Sequence, residues 1–186
     1  MQITKTLDVP HRKAWRDWLK KNYKIEKEIW LVYYRKRAGK PRIAYNDAVE
    51  EALCFGWIDS TVKKLDAERF VQKFSLRKPK SGYSQLNKER FRRLIAQGKL
   101  MKDVRAIWGA VAAEEFVMPS DILQALKANE QAWENFQRHS ASYQRIRIAF
   151  IDTARSRPEE FSKRLQHFIR MTEKNTQFGF GIGTYF

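Results

Sequence analysis

Trp57-Ile-Asp-Ser-Thr-Val-Lys63 and Arg69-Phe-Val-Gln-Lys-Phe-Ser-Leu76 both alternate apolar with polar side chains, and the polar run Lys64-Leu-Asp-Ala-Glu68 joins them. A period of two places successive side chains on opposite faces of an extended chain. Two such arms with a short polar link read as a β-hairpin. Upstream, the aromatic and β-branched run Ile29-Trp30-Leu31-Val32-Tyr33-Tyr34 reads as a further strand, closed by Ala38-Gly39-Lys40-Pro41. A sheet needs a covering layer. One helix is expected from Asn46 or Asp47 to Phe55, with acids in its first turns and Gly56 just past its end. Another is expected after Asp8 and Pro10, with Asp8 as cap and Ala14, Trp15, Trp18 and Leu19 as its apolar stripe.

Beyond Pro79 the pattern is helical. Ser84 is a natural N-cap for a helix carrying Leu86, Phe91, Leu94 and Ile95, which Gly98 ends. Val104, Ile107, Trp108 and Val111 mark the next stripe, and Pro119 opens a helix with Ile122, Leu123 and Leu126. Trp133 and Phe136 sit on a short one, and Ile146, Ala149, Phe150 and Thr153 on another. After the break at Arg155-Ser-Arg-Pro158, the spacing of Phe161, Leu165, Phe168 and Ile169 gives a last amphipathic helix. The expected fold is α+β: a small antiparallel sheet flanked by helices, followed by a helical C-terminal half. Three segments are expected: an α+β domain over 1–118, a helical module over 119–176, and a Gly/aromatic tail over 177–186 docked on the domain. Gly179-x-Gly181-x-Gly183 is no dinucleotide loop, since no strand precedes it.

Composition narrows the class. The chain has 186 residues, 37 Lys+Arg against 21 Asp+Glu, and a formal net charge of +16. With 43% hydrophobic and 13% aromatic residues it is too apolar for a disordered polycation. No apolar run reaches the ~18–20 residues of a membrane span, so no such span is expected. Met1 to Pro10 shows no signal-peptide core, and the single Cys54 excludes a disulfide framework, so a cytoplasmic location is expected. Residues 11–42 are net +9, 76–105 net +8 and 138–170 net +5, whereas 43–59 and 106–137 are each net −4. The alternation argues against one continuous polyanion-binding face.

Catalytic constellations are absent from the sequence. His11, His139 and His167 are scattered, Cys54 sits beside Leu53 and Phe55 on an apolar stripe, and the adjacent acids Glu50-Glu51 point to different helix faces. No catalytic residue, metal ligand or cofactor is assigned, and whether the protein is an enzyme stays open, with non-enzymatic binding preferred. The exception is Arg77-Lys-Pro-Lys-Ser-Gly-Tyr-Ser84, which leaves a strand and reaches a helix start, where free backbone N–H groups and a partial positive charge favour anions. Hydroxyls from Ser81 and Ser84, charge from Arg77 and Lys80, and an amide from Asn87 would complete a phosphate or carboxylate pocket.

Ala52-Leu-Cys-Phe-Gly-Trp-Ile-Asp-Ser60 and Phe74-Ser-Leu-Arg-Lys-Pro-Lys-Ser-Gly-Tyr-Ser-Gln-Leu-Asn87 resemble motifs of the YdeI/OmpD-associated family, also called bacteriocin-protection or OmdA-like proteins. Trp15-Arg-Asp-Trp-Leu19 and the Arg-rich helices around Phe150-Ile-Asp-Thr-Ala-Arg155 and Lys163-Arg-Leu165 fit the same pattern, so the resemblance spans roughly 5–175. Leu76 replaces an expected Pro, Tyr83 an expected Trp, and the basic pattern is altered around Glu159-Glu-Phe161. The resemblance implies an α+β fold akin to the YjbR/CyaY-like group and a role in bacteriocin or envelope-stress resistance. It implies no established reaction. The expectation is therefore a small anionic ligand held by Trp57, Asp59, Arg77, Lys80, Ser81, Tyr83, Ser84 and Asn87. Trp57 or Tyr83 would stack on it. Non-specific nucleic-acid binding is the alternative. An enzyme of anionic metabolites using Asp59 ranks third.

Overall fold

The computed structural model describes residues 2–77 and 82–186. Two compact units divide the chain, Met1–Gly82 with Phe91–Ala110, and Tyr83–Arg90 with Val111–Phe186. The first carries β1 (Thr6–Leu7), α1 (Arg12–Asn22), β2 (Glu28–Tyr34), α2 (Tyr45–Cys54), β3 (Trp57–Lys64) and β4 (Arg69–Leu76). Helices α3 (Gln85–Ala96) and α4 (Lys102–Ala113) contribute residues to both units. The second unit adds α5 (Ser120–Lys127), α6 (Glu130–Arg138), α7 (Ala141–Asp152) and α8 (Pro158–Glu173). The class is α+β.

The four-stranded sheet has the order β1-β2-β4-β3. β3 and β4 form the hairpin, and β4 also pairs antiparallel with β2, Trp30 opposite Lys73 and Leu31 opposite Gln72. The sheet is mixed, because the two-residue β1 pairs parallel with β2. A strand of two residues leaves no periodic trace in a sequence. β2 is buried on both faces: Ile29, Leu31 and Tyr33 point one way, while Trp30 and Val32 join Val71, Ile3 and Tyr34 on the other. Burial on both sides explains its unbroken apolar run.

On one face, α1 lays Trp15 and Leu19 into the core. The Trp15 indole N–H donates to the Ala48 carbonyl at 2.9 Å, and its ring stacks on Trp18 and meets Phe74 edge-on. The expected cap is corrected here. His11 Nδ1, not Asp8, accepts the Ala14 N–H at 3.2 Å, and Asp8 instead accepts the Tyr34 hydroxyl. Gly56, at φ 79°, makes the turn from α2 into β3, a backbone conformation that glycine alone adopts without cost.

In the second unit Ile122, Leu126, Phe136, Tyr143, Ile146, Ile148, Ile151 and Phe168 form one apolar core, and Leu86 of α3 packs against it. Asn129 caps α6 by accepting the Ala132 N–H, and Ser140 caps α7 through the Tyr143 N–H. The last ten residues lie against this core. The Phe178 N–H donates to the Tyr143 hydroxyl at 3.1 Å, Ser140 donates to the Tyr185 carbonyl, and Ile182 is buried.

Candidate functional site

The residues singled out above fall in both units. Trp57, Asp59 and Arg77 belong to the first, Tyr83, Ser84 and Asn87 to the second. Lys80 and Ser81 lie outside the described residues. Trp57 is fully buried, its ring edge-on to Trp18 at 5.9 Å and its N–H donating to the Tyr23 carbonyl at 3.2 Å. It fills the core and presents no stacking face. Asp59 accepts from the Tyr45 hydroxyl at 3.0 Å and from Gln72 Nε2 at 2.7 Å. Burial, aided by the Asp59 charge, raises the pKa of the nearby Tyr33 phenol well above its usual value. Arg77 uses its backbone N–H on the Gly56 carbonyl and its guanidinium on the Gly82 carbonyl.

Sequence reasoning missed what the acids of α2 do. Glu50 and Glu51 are both buried. Arg12 bonds Glu51 at 2.5 Å, Glu50 at 3.2 Å and Asp47 at 2.7 Å, Arg16 bonds Glu51 at 2.5 Å, and Arg93 bonds Glu50. Adjacent acids do diverge on a helix, yet Arg12 reaches both from α1. The signal was present in the sequence: two arginines four apart on α1 and an acidic block on α2. Opposite charges so arranged neutralise one another and tie helices together.

At the start of α3, the Ser84 hydroxyl accepts the Asn87 N–H at 3.3 Å, which is capping geometry. Asn87 turns its own carbonyl to Arg90 at 3.0 Å, so that oxygen is engaged within the helix. Tyr83, Ser84 and Lys88 line a cavity of about 630 Å³ together with Phe116, Arg147 and Phe180. All of its lining residues belong to the second unit.

Arg147 is the feature that the sequence concealed. It sits on α7 between Ile146 and Ile148 and is only 6% exposed. Its guanidinium carbon lies 4.0 Å from the Phe178 ring centroid, 5.1 Å from Phe150 and 5.6 Å from Phe168. It makes no hydrogen bond or ion pair among the described residues, and its Nε is sealed from solvent without a partner. Burial pulls its pKa below the usual arginine value, with the charge of nearby Arg164 adding to the shift. Arginine nonetheless stays charged in proteins. A desolvated cation without a counter-charge carries a cost that pairing with an opposite charge would offset.

Residues 115–175, which hold Arg147 and α5 to α8, match the family model described as Bacteriocin-protection, YdeI or OmpD-Associated. The C-terminal segment 115–175 is a domain of the YdeI/OmpD-associated family. Residues 7–107 match a domain of unknown function, DUF8412. The motifs at 52–60 and 74–87 thus fall within the span of that second model, and the cavity wall draws on both matched segments and on the tail. No curated protein and no solved structure matches the chain. Among the described residues no helix is long and apolar enough to cross a membrane.

Proposed function

We propose that this chain binds a small anionic ligand in the cavity of its helical unit. The observation that carries the reading is Arg147, a buried guanidinium with no counter-ion among the described residues. The first turn of α3, capped by Ser84, adds unsatisfied N–H groups and the positive end of a helix dipole beside the same cavity. In this reading Tyr83 and Ser84 face the ligand, and Arg147 supplies its charge. Trp57 fills the core, Asp59 accepts from Tyr45 and Gln72, and Asn87 serves its own helix.

The description of the family matched at 115–175 names bacteriocin protection, which supports a cellular role in bacteriocin resistance. A cytoplasmic setting suits the single, buried, unpaired Cys54. The test is a thermal-shift and calorimetric screen of organic and inorganic anions against the wild-type chain and Arg147→Met. Saturable binding that the substitution removes supports the reading, and the absence of any anion binding overturns it.

A second reading, non-specific nucleic-acid binding, rests on the first unit. There Arg35, Arg37 and Lys64 line one concavity at the hairpin end of the sheet. Binding of short duplexes that falls steeply with salt, and that Arg35→Glu with Lys64→Glu abolishes, would favour it. No retention of DNA or RNA at low salt removes it.

A further inference from the structure

Resting on the anion-site reading, we infer that the ligand is an apolar-bodied monocarboxylate, an aryl or acyl acid, and not a phosphate. Three observations converge on this class.

The first is the charge balance around the cavity. Lys88 is paired with Glu114, and Asp152 with Arg155. Arg164, next to Arg147, is engaged by Glu160 at 2.7 Å. Among the described residues that line the cavity, Arg147 is left as the single uncompensated charge. One carboxylate closes that balance, and its two oxygens match the planar guanidinium fork. A dianionic phosphate would carry a second negative charge into the same apolar surroundings, with only the partial positive charge at the start of α3 to meet it.

The second is the wall. Leu86, Phe116, Ile146, Phe150, Phe180 and Ile182 make the lining predominantly apolar, and the volume of about 630 Å³ far exceeds what a bare inorganic anion needs. Small-molecule sites of ~300–1,000 Å³ have this composition, apolar with a few placed polar groups. The body of the ligand is therefore apolar.

The third is the tail. Gly179 has a φ of 139°, and a Cβ built there would lie 2.4 Å from Ile182 Cδ1 and 3.3 Å from a terminal nitrogen of Arg147. Only glycine lets the chain pass this close over the guanidinium. The next residue, Phe180, is 84% exposed and lines the cavity. A large aromatic held at a cavity mouth suits covering an apolar ligand, which would take both surfaces out of water.

The experiment compares 1-naphthoate, 1-naphthyl phosphate, acetate and inorganic phosphate by calorimetry on the full chain at pH 7.5. Binding of 1-naphthoate at least tenfold tighter than that of the other three is expected. Arg147→Met should weaken 1-naphthoate at least tenfold while circular dichroism and melting temperature stay native, and Phe180→Ala should weaken it several-fold. Tighter binding of 1-naphthyl phosphate or inorganic phosphate overturns the monocarboxylate class but leaves the anion site standing. Naphthoate binding unchanged in Arg147→Met overturns the placement of the site. Absence of binding by all four overturns the inference and the reading beneath it together.

Discussion

Arg145 donates to both carboxylate oxygens of Glu89, Nε to Oε1 at 2.7 Å and a terminal nitrogen to Oε2 at 2.8 Å. This bidentate pair ties the start of α3 to α7 inside the helical unit, and Ser142 and Gln85 donate to the same carboxylate. Glu89 is 1% exposed, so burial alone would raise its pKa. The bonds from Arg145, Ser142 and Gln85 outweigh burial and hold it below the usual value of 4.5. A carboxyl whose folded pKa is depressed stabilises fully above its unfolded pKa and loses that contribution as pH falls through the folded one. Urea midpoints of the wild-type chain should therefore drop as the pH is lowered below 4.5, and Glu89→Gln should flatten that segment of the profile. At neutral pH the same substitution, which leaves Arg145 without its counter-charge, should cost about 2–4 kcal/mol.

The two arginines of α7, Arg145 half-buried and Arg147 buried, should behave in opposite ways. Arg145→Met breaks an ion pair and should destabilise by about 2–4 kcal/mol. Arg147→Met removes a desolvated charge that no carboxylate offsets, and forfeits only its ring contacts, about 0.5–2 kcal/mol. Its melting temperature should equal or exceed that of wild type. A loss comparable to that of Arg145→Met would mean that Arg147 has a structural counter-charge, and the anion site would lose its basis.

Trp57→Ala should cost about 3–5 kcal/mol, because it empties a large fully buried site beside Trp18 and frees the Tyr23 carbonyl. Ligand affinity measured on the folded fraction should not change. A specific loss of anion binding in a stably folded Trp57→Phe chain would restore this residue to the site.

Burial, and then the Glu51 charge, push the Cys54 thiol up to about 11. Thiolate is the reactive form, so little of it exists near neutrality. An aromatic disulfide reagent at pH 8 should label no thiol in the native chain and one per chain in denaturant. Fast native labelling would show that this region opens readily.

Local chemistry was legible in the sequence and long-range chemistry was not. The hairpin, β2 and the helices follow from periodicity and, for α3, from Ser84 at its start, because a cap and its N–H lie three residues apart. The pairing of β2 with β4 joins residues some forty positions apart, and no local signal encodes it. The bonds from Arg12 and Arg16 to Glu50 and Glu51 span a comparable distance. Arg147 was invisible for a different reason. A charge flanked by Ile146 and Ile148 reads as the solvated edge of an apolar stripe, and only the rings of Phe150, Phe168 and Phe178 show that it is enclosed. Trp57 was expected at the site because two recognisable motifs meet at one hairpin and its exit, whereas its ring is fully buried edge-on to Trp18.

The two margins of the sheet are unlike its centre. On one side, β1 offers just two residues to any incoming chain. On the other, β3 shifts register between Asp59 and Val62 and then carries Lys63 and Lys64. Such an irregular, lysine-bearing rim and such a brief one are both poor templates for recruiting a foreign strand. The aromatic, aggregation-prone run of β2 is thereby shielded from intermolecular β-pairing, held between β1 and β4 in the interior of the sheet.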